Sequence, residues 1–238
     1  MQVNSYFMCD AGRLSYREEN EAIQSSKYSV QSLKQLMIND EGKKIMLANA
    51  DLSLENLITL KIFCAKHDIE LFALPHLDKD FGDTWLRSSM RSANAKALKY
   101  LDICSDSALY EKSYYNAHLI ININHPSLFN SSDEQKKVLQ FHTHHFENED
   151  HYRNRVAFAS YSHENGTLIN GDDILQRFYA SNHEIHNENS LINIFCAIDG
   201  SLHPTQERIW SQDLTPLLGI KLEEIATQGS VLKGENHA

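Results

Sequence analysis

Thirteen histidines in 238 residues invite a search for metal or acid–base chemistry. The densest group is His142, His144, His145 and His151, beside Glu147, Glu149 and Asp150. Imidazole and carboxylate ligands at this density suit zinc and similar ions. On a helix His142 and His144 would lie about 200° apart, so only His142 with His145, or His145 with Glu149, converge on one face. His142, His145 and Glu149 are thus the metal-ligand candidates, weighed against a solvated surface patch, which is the favoured reading. His163 with Glu164 has the chemistry of an acid–base pair, as does His183 with Glu184 and His186. No Ser or Cys nucleophile in matching context accompanies either set, so no catalytic residue is assigned.

The four cysteines, Cys9, Cys64, Cys104 and Cys196, are far apart and form no CxxC or comparable ligand spacing. Three stand among apolar neighbours, where cysteine acts as a small hydrophobe, so free thiols in a reducing cytoplasm are expected. Cys9 precedes Asp10 and lies near Arg13, which could lower its pKa. A single cysteine does not hold an iron–sulfur cluster, which takes about four ligands.

These groups need elements to position them. Ser29 or Ser32 caps an expected helix over 31–39, with Leu33, Leu36 and Met37 on one face, ended by the Asn39-Asp40-Glu41-Gly42 turn. Lys43 to Ala50 reads as a strand, and 54–66 carries Leu57, Leu60, Ile62, Phe63 and Ala65 at helical spacing behind an Asp51 or Ser53 cap. Ile69 to Leu74 is a second strand. Strand, helix, strand over about thirty residues is a βαβ unit, which makes a parallel crossover in a helix-covered sheet. The loop Asn49 to Ser53 sits where such folds bind anions, yet it has no glycine to bring backbone amides near a phosphate.

Farther on, 83–86 and 93–101 read as helical. Residues 118–124 (HLIININ) form a third strand at the sheet centre, 133–146 a mainly polar helix, and 156–160 a fourth strand. The stretch 162–178, SHENGTLINGDDILQRF, follows as a structured loop with Gly166 and Gly171, and 191–198 and 206–218 read as helices with apolar faces. The organisation is an arm over 1–28, an α/β domain over 29–190, a helical portion over 191–232 and a disordered tail over 233–238.

Composition limits the partners. Lys plus Arg total 22 against 32 Asp plus Glu, and a net charge of −10 argues against general nucleic-acid binding or attraction to an anionic membrane. No run reaches membrane-helix length and the start lacks a signal-peptide pattern. The apolar and aromatic cluster just after Met1 implies either an upstream portion or an edge that packs on a partner.

Two motifs carry a resemblance. VNSYFMCDAGRLSYREEN is similar to the junction, N-x-x-[YW]-x-CD-x-GR-x-x-Y, that follows the iron–sulfur modules and leads into the molybdopterin-oxidoreductase-like domain of the large iron–sulfur subunit of respiratory complex I (NADH-quinone oxidoreductase) and of related NAD-linked formate dehydrogenases and hydrogenases. ASYSHENGTLINGDDILQRF resembles that family's A-x-x-x-E-x-x-GT-x-x-N-x-[ED]-G-R-x-QRF segment, with Glu164, Gly166, Thr167, Asn170, Gln176, Arg177 and Phe178 at matching positions. Weaker echoes in 43–69 and 81–103 keep the same order. The chain departs from the family where Gly171-Asp172-Asp173 replaces a glycine–arginine pair, and the cysteine sets of the iron–sulfur modules are absent from it.

The resemblance implies a Rossmann-like, molybdopterin-oxidoreductase-like α/β fold with a parallel or mixed sheet covered by helices. It implies a scaffold without its own active site or cofactor, in an NADH-linked electron-transfer complex whose iron–sulfur clusters belong to an upstream segment or partner subunit. Tyr6, Cys9, Asp10, Arg13 and Tyr16 would dock on that partner. Gly166, Thr167 and Asn170 would form turns, and Gln176, Arg177 and Phe178 would lead into the next packed element. The location implied is cytoplasmic, peripheral to the inner membrane through the complex. The alternative is an oxidoreductase domain that binds a molybdopterin or nucleotide-like cofactor near His163, Glu164 and Asn170.

Overall fold

The computed structural model describes residues 29–77, 89–90, 92–125, 137–143, 154–180 and 189–232. Ser29 caps α1 (Val30–Lys34) by accepting from the Ser32 amide, and the helix widens into a π-turn, Gln35–Asn39, that buries Met37. After the turn comes β1 (Lys44–Asn49), then α2 (Leu54–Lys66) behind its Ser53 cap, and β2 (Ile69–Leu74). The βαβ unit read from the sequence is thus present, with β1 and β2 parallel.

A short α3 (Ala97–Tyr100) stands where a longer helix was expected over 93–101, because 93–96 forms turns. The segment 83–86 lies outside the described residues. Next come α4 (Ser107–Asn116), β3 (Leu119–Ile123), β4 (Lys137–His142) and β5 (Asn154–Ala157). Helix α4 went unread in the sequence: its hydrophobic pattern is shallow, and among its residues only Tyr110 is buried.

Strand β4 corrects the helix expected over 133–146. Within the described part, Lys137 to His142 pairs in parallel with β3 on one side and β5 on the other. Its polar Gln140 and His142 are 2% and 5% exposed, so residues that looked like a solvated helix face are interior. Flanking strands on both sides outweigh local helix preference.

The sheet order is β2-β1-β3-β4-β5, and every pair in it is parallel. Alternation along each strand serves two layers. On one side Met46, Ala48, Ile121 and Leu139 join the large core with α1 and α2; on the other, Ile45, Leu47, Phe72 and Ile120 pack with Tyr110 of α4. Both faces are therefore covered, as a parallel sheet requires.

The stretch 162–178 forms a hairpin rather than a loop. After a 3-10 turn, Tyr161–His163, strand β6 (Gly166–Ile169) pairs antiparallel with β7 (Ile174–Phe178). Helix α5 (Leu191–Ile198) follows, then α6 (Gln206–Ile209), a π-turn Trp210–Leu214 and α7 (Thr215–Leu218), and β8 (Ser230–Val231) adds to β7. Phe195 of α5 stacks edge-on against Phe63 and lies near Phe141, so this portion shares the core of the sheet. Among the described residues no helix is long and apolar enough to cross a membrane.

Candidate cleft at the carboxyl ends of the strands

After β1 the chain adds β2 on one side and then returns to place β3 on the other, so the order reverses between β1 and β3. In such sheets the loops leaving these two strands diverge and open a crevice at the carboxyl ends. A cleft of about 710 Å³ lies there, bounded by Asn49 at the end of β1, Asn124 after β3, Thr143 after β4 and Phe158 after β5. The Asn49 amide donates to the Asn124 carbonyl at 3.1 Å and so bridges the two strand ends. Asn124 takes φ +54, a left-handed conformation that asparagine tolerates better than most residues. Its own carboxamide has no partner among the described residues.

The far wall is the hairpin. Glu164, Leu168, Phe178 and Tyr179 line the cleft opposite Asp51 and Ser53. Two carboxyl groups dock the hairpin on the first turn of α2. Glu55, 1% exposed, accepts from the Thr167 amide at 3.0 Å, the Thr167 hydroxyl at 3.1 Å, Gln206 at 2.7 Å and the Trp210 indole at 2.8 Å. Burial raises its pKa, and these donors offset part of that cost. Glu164 accepts from the Asn56 amide at 3.0 and 3.1 Å. Burial pushes the Glu164 carboxyl up to about 8, the Asn56 hydrogen bond opposes the shift, and nearby Glu55 adds to it.

Buried Asn94 completes the wall. Its amide donates to the Leu52 carbonyl at 2.7 Å and its oxygen accepts from the Ile169 amide at 2.7 Å, joining the loop after β1 to β6. Asp51 accepts from the Ala93 amide at 2.7 Å. Ser160, Ser162 and His163 form a small cluster at the cleft: the Ser162 hydroxyl lies 3.0 Å and the Ser160 hydroxyl 3.3 Å from His163 Nδ1. Ser160 is buried, and both serines line the cleft. Sequence reasoning passed over these serines because nothing local marks a residue just beyond a strand end.

The residues singled out in the sequence fall as follows. Glu164 lies in the cleft wall and His163 is its chain neighbour, whereas Asn170 sits at the far end of the hairpin, where its oxygen accepts from the Asp172 and Ile174 amides. Asn170 is therefore a turn residue, as read, but Gly166 and Thr167 are strand residues, which corrects the turn role expected of them. A Cβ on Gly166 would collide with the Phe178 ring and come within 2.9 Å of Ser53 Cβ. Gln176 and Phe178 lie in β7, and Arg177 donates to the Leu222 carbonyl and covers the Tyr179 ring at 5.2 Å.

His142 is interior to β4, so the helical face that would have joined it to His145 does not exist in the described residues. His145 and Glu149 lie outside them, as do Tyr6, Cys9, Asp10, Arg13, Tyr16, His183, Glu184 and His186. Among the described residues no group of three or more His, Cys, Asp or Glu is placed to hold a metal ion. The residues that reasoning missed are Asn49, Glu55, Asn56, Asn94 and Asn124. Asn49 and Asn124 stand at strand ends, Glu55 and Asn56 in the first turn of α2 and Asn94 in the turn before α3, and no local pattern marks them. Comparison with protein-family models and with curated proteins finds no match for this chain.

Proposed function

We propose that the chain is a non-catalytic α/β scaffold segment of an NADH-linked electron-transfer complex, similar to the large iron–sulfur subunit of respiratory complex I. One observation carries this reading beyond the motif resemblance. The side chains of the Glu164 to Phe178 signature act as internal struts. Glu164 holds Asn56, Thr167 holds Glu55, Asn170 closes the turn, and Phe178 fills the space above Gly166. A segment whose polar groups are engaged in docking a hairpin on a helix is suited to rigidity. Redox chemistry then belongs to an iron–sulfur partner, met through Tyr6, Cys9, Asp10, Arg13 and Tyr16, and the complex gives the chain a cytoplasmic position peripheral to the inner membrane.

The cofactor-binding alternative fits the described cleft poorly. A pterin or nucleotide cofactor brings phosphate, which favours glycine-lined amides or basic side chains. The described wall offers Asp51 and Glu164 instead, with no Lys or Arg among its residues and no glycine in the Asn49 to Ser53 loop. Affinity isolation of the full chain from native cells tests the scaffold reading. Iron, acid-labile sulfide and NADH-oxidising activity should travel with it through gel filtration, and Arg13→Glu with Tyr16→Ala should release them. Elution as a lone 27.3 kDa chain without iron overturns the proposal.

A further inference from the structure

The cleft has a chemistry of its own, independent of the scaffold role. Two carboxyl groups, Asp51 and Glu164, line it together with the rings of Phe158, Tyr161, Phe178 and Tyr179. Glu164 accepts only from the neutral Asn56 amide, and Asp51 from the Ala93 backbone, so neither has a cationic partner among the described residues. The nearest arginine on the hairpin, Arg177, is held by the Leu222 carbonyl and the Tyr179 ring. A partly buried carboxyl without a counter-charge is poorly stabilised when ionised, and a cation that enters beside it favours the ionised form. Aromatic rings around the same space attract cations through their faces.

We propose that this cleft is a binding site for a small organic cation, an ammonium or amidinium carried on an apolar or aromatic body, with Glu164 as its counter-charge and Asp51 at the mouth as a second carboxylate. The Asn124 carboxamide at the β1/β3 junction, which has no partner among the described residues, supplies a further acceptor. About 710 Å³ accommodates such a molecule with room to spare. Because the Glu164 carboxyl holds its proton up to about pH 8, entry of the cation drives that proton off the carboxyl and into solvent.

Calorimetric titration of the full chain at pH 7 with benzamidine, benzyl alcohol and benzoate tests this. Benzamidine should bind with proton release, read as a heat that changes with the ionisation enthalpy of the buffer. Benzyl alcohol and benzoate should bind at least roughly tenfold more weakly. Glu164→Gln keeps a hydrogen-bonding group opposite Asn56 and should weaken benzamidine roughly tenfold and abolish the proton release. Asp51→Asn, whose exposed side chain spares the core, should weaken it by a smaller factor. Equal binding of benzyl alcohol, unchanged benzamidine affinity in folded Glu164→Gln, or no binding to the folded wild-type chain each overturn the proposal. None of these results bears on whether iron copurifies, so the two readings fail separately.

Discussion

At the scale of single residues, Glu55 and Gly166 do the most for the position of the cleft wall. Glu55 satisfies four donors from three elements inside the core. Removing it leaves the Trp210 indole and Thr167 amide buried without acceptors, and a buried polar group left unsatisfied costs about 1–3 kcal/mol. Glu55→Ala should lower the urea midpoint accordingly, with a shift in Trp210 fluorescence, while Glu55→Gln should lose less. Gly166 lies where a side chain has no room between Phe178 and Ser53. Overpacking of this kind costs about 1–3 kcal/mol, so Gly166→Val should destabilise by at least that much in chemical denaturation. His163→Ala, by contrast, removes contacts to Ser160 and Ser162 and leaves the bonds that dock the hairpin through Glu55 and Asn56 in place, so both fold and iron copurification should stay nearly intact.

At the scale of elements, the hairpin and α5 hold opposite ends of α2. The hairpin grips its first turn through Glu55 and Asn56. Its last turn is clamped by Asp199, just past α5, which accepts from Lys66 and lies 2.7 Å from His67 Nε2. Burial opposes ionisation of Asp199, yet Lys66, His67 and Ser201 together hold its carboxyl well below the usual range. Phe195 joins α5 to α2 and β4, with ring centroids 4.8 Å from Phe63 and 5.6 Å from Phe141. Phe195→Ala should cost about 3–5 kcal/mol, measured by thermal or urea unfolding. The loss should spread to β4, so that backbone amides of 137–142 exchange faster with deuterium.

At the scale of the whole molecule, charge couples stability to pH. A carboxyl whose folded pKa is raised contributes stability that is complete below its unfolded pKa and is lost as pH rises through the folded value. For Glu164 that window runs from the ordinary 4.5 to about 8. Asp199 has the opposite sign: its contribution is present above the ordinary carboxylate pKa and is lost in acid. His125, buried at the end of β3 with a lowered pKa, likewise favours the fold less as pH falls. Comparison with Glu164→Gln isolates the Glu164 contribution. The wild-type urea midpoint should decline relative to the variant's between pH 5 and 8, and parallel profiles would show that Glu164 titrates near its ordinary value.

Much of this architecture was legible in sequence because it is local. Ser29 and Ser53 announce helix starts, the β1-α2-β2 unit has the right periods and lengths, and the apolar 118–124 run marks a central strand. Each depends on neighbours within a few residues, where capping and hydrophobic periodicity act. Strand β4 was misread because Gln140 and His142 are polar, and only pairing with β3 and β5 makes them interior. The sequence of 162–178 predicts an organised loop and not a hairpin, since antiparallel pairing of β6 with β7 is set by register across the turn. The amino-acid order by itself determined an α/β sheet covered by helices, expected as parallel or mixed, and singled out Glu164 within 162–178. Tertiary structure alone decided that Glu164 faces a cleft, because that depends on bringing residues more than a hundred positions apart, such as Asn56 and Glu164, within hydrogen-bonding distance.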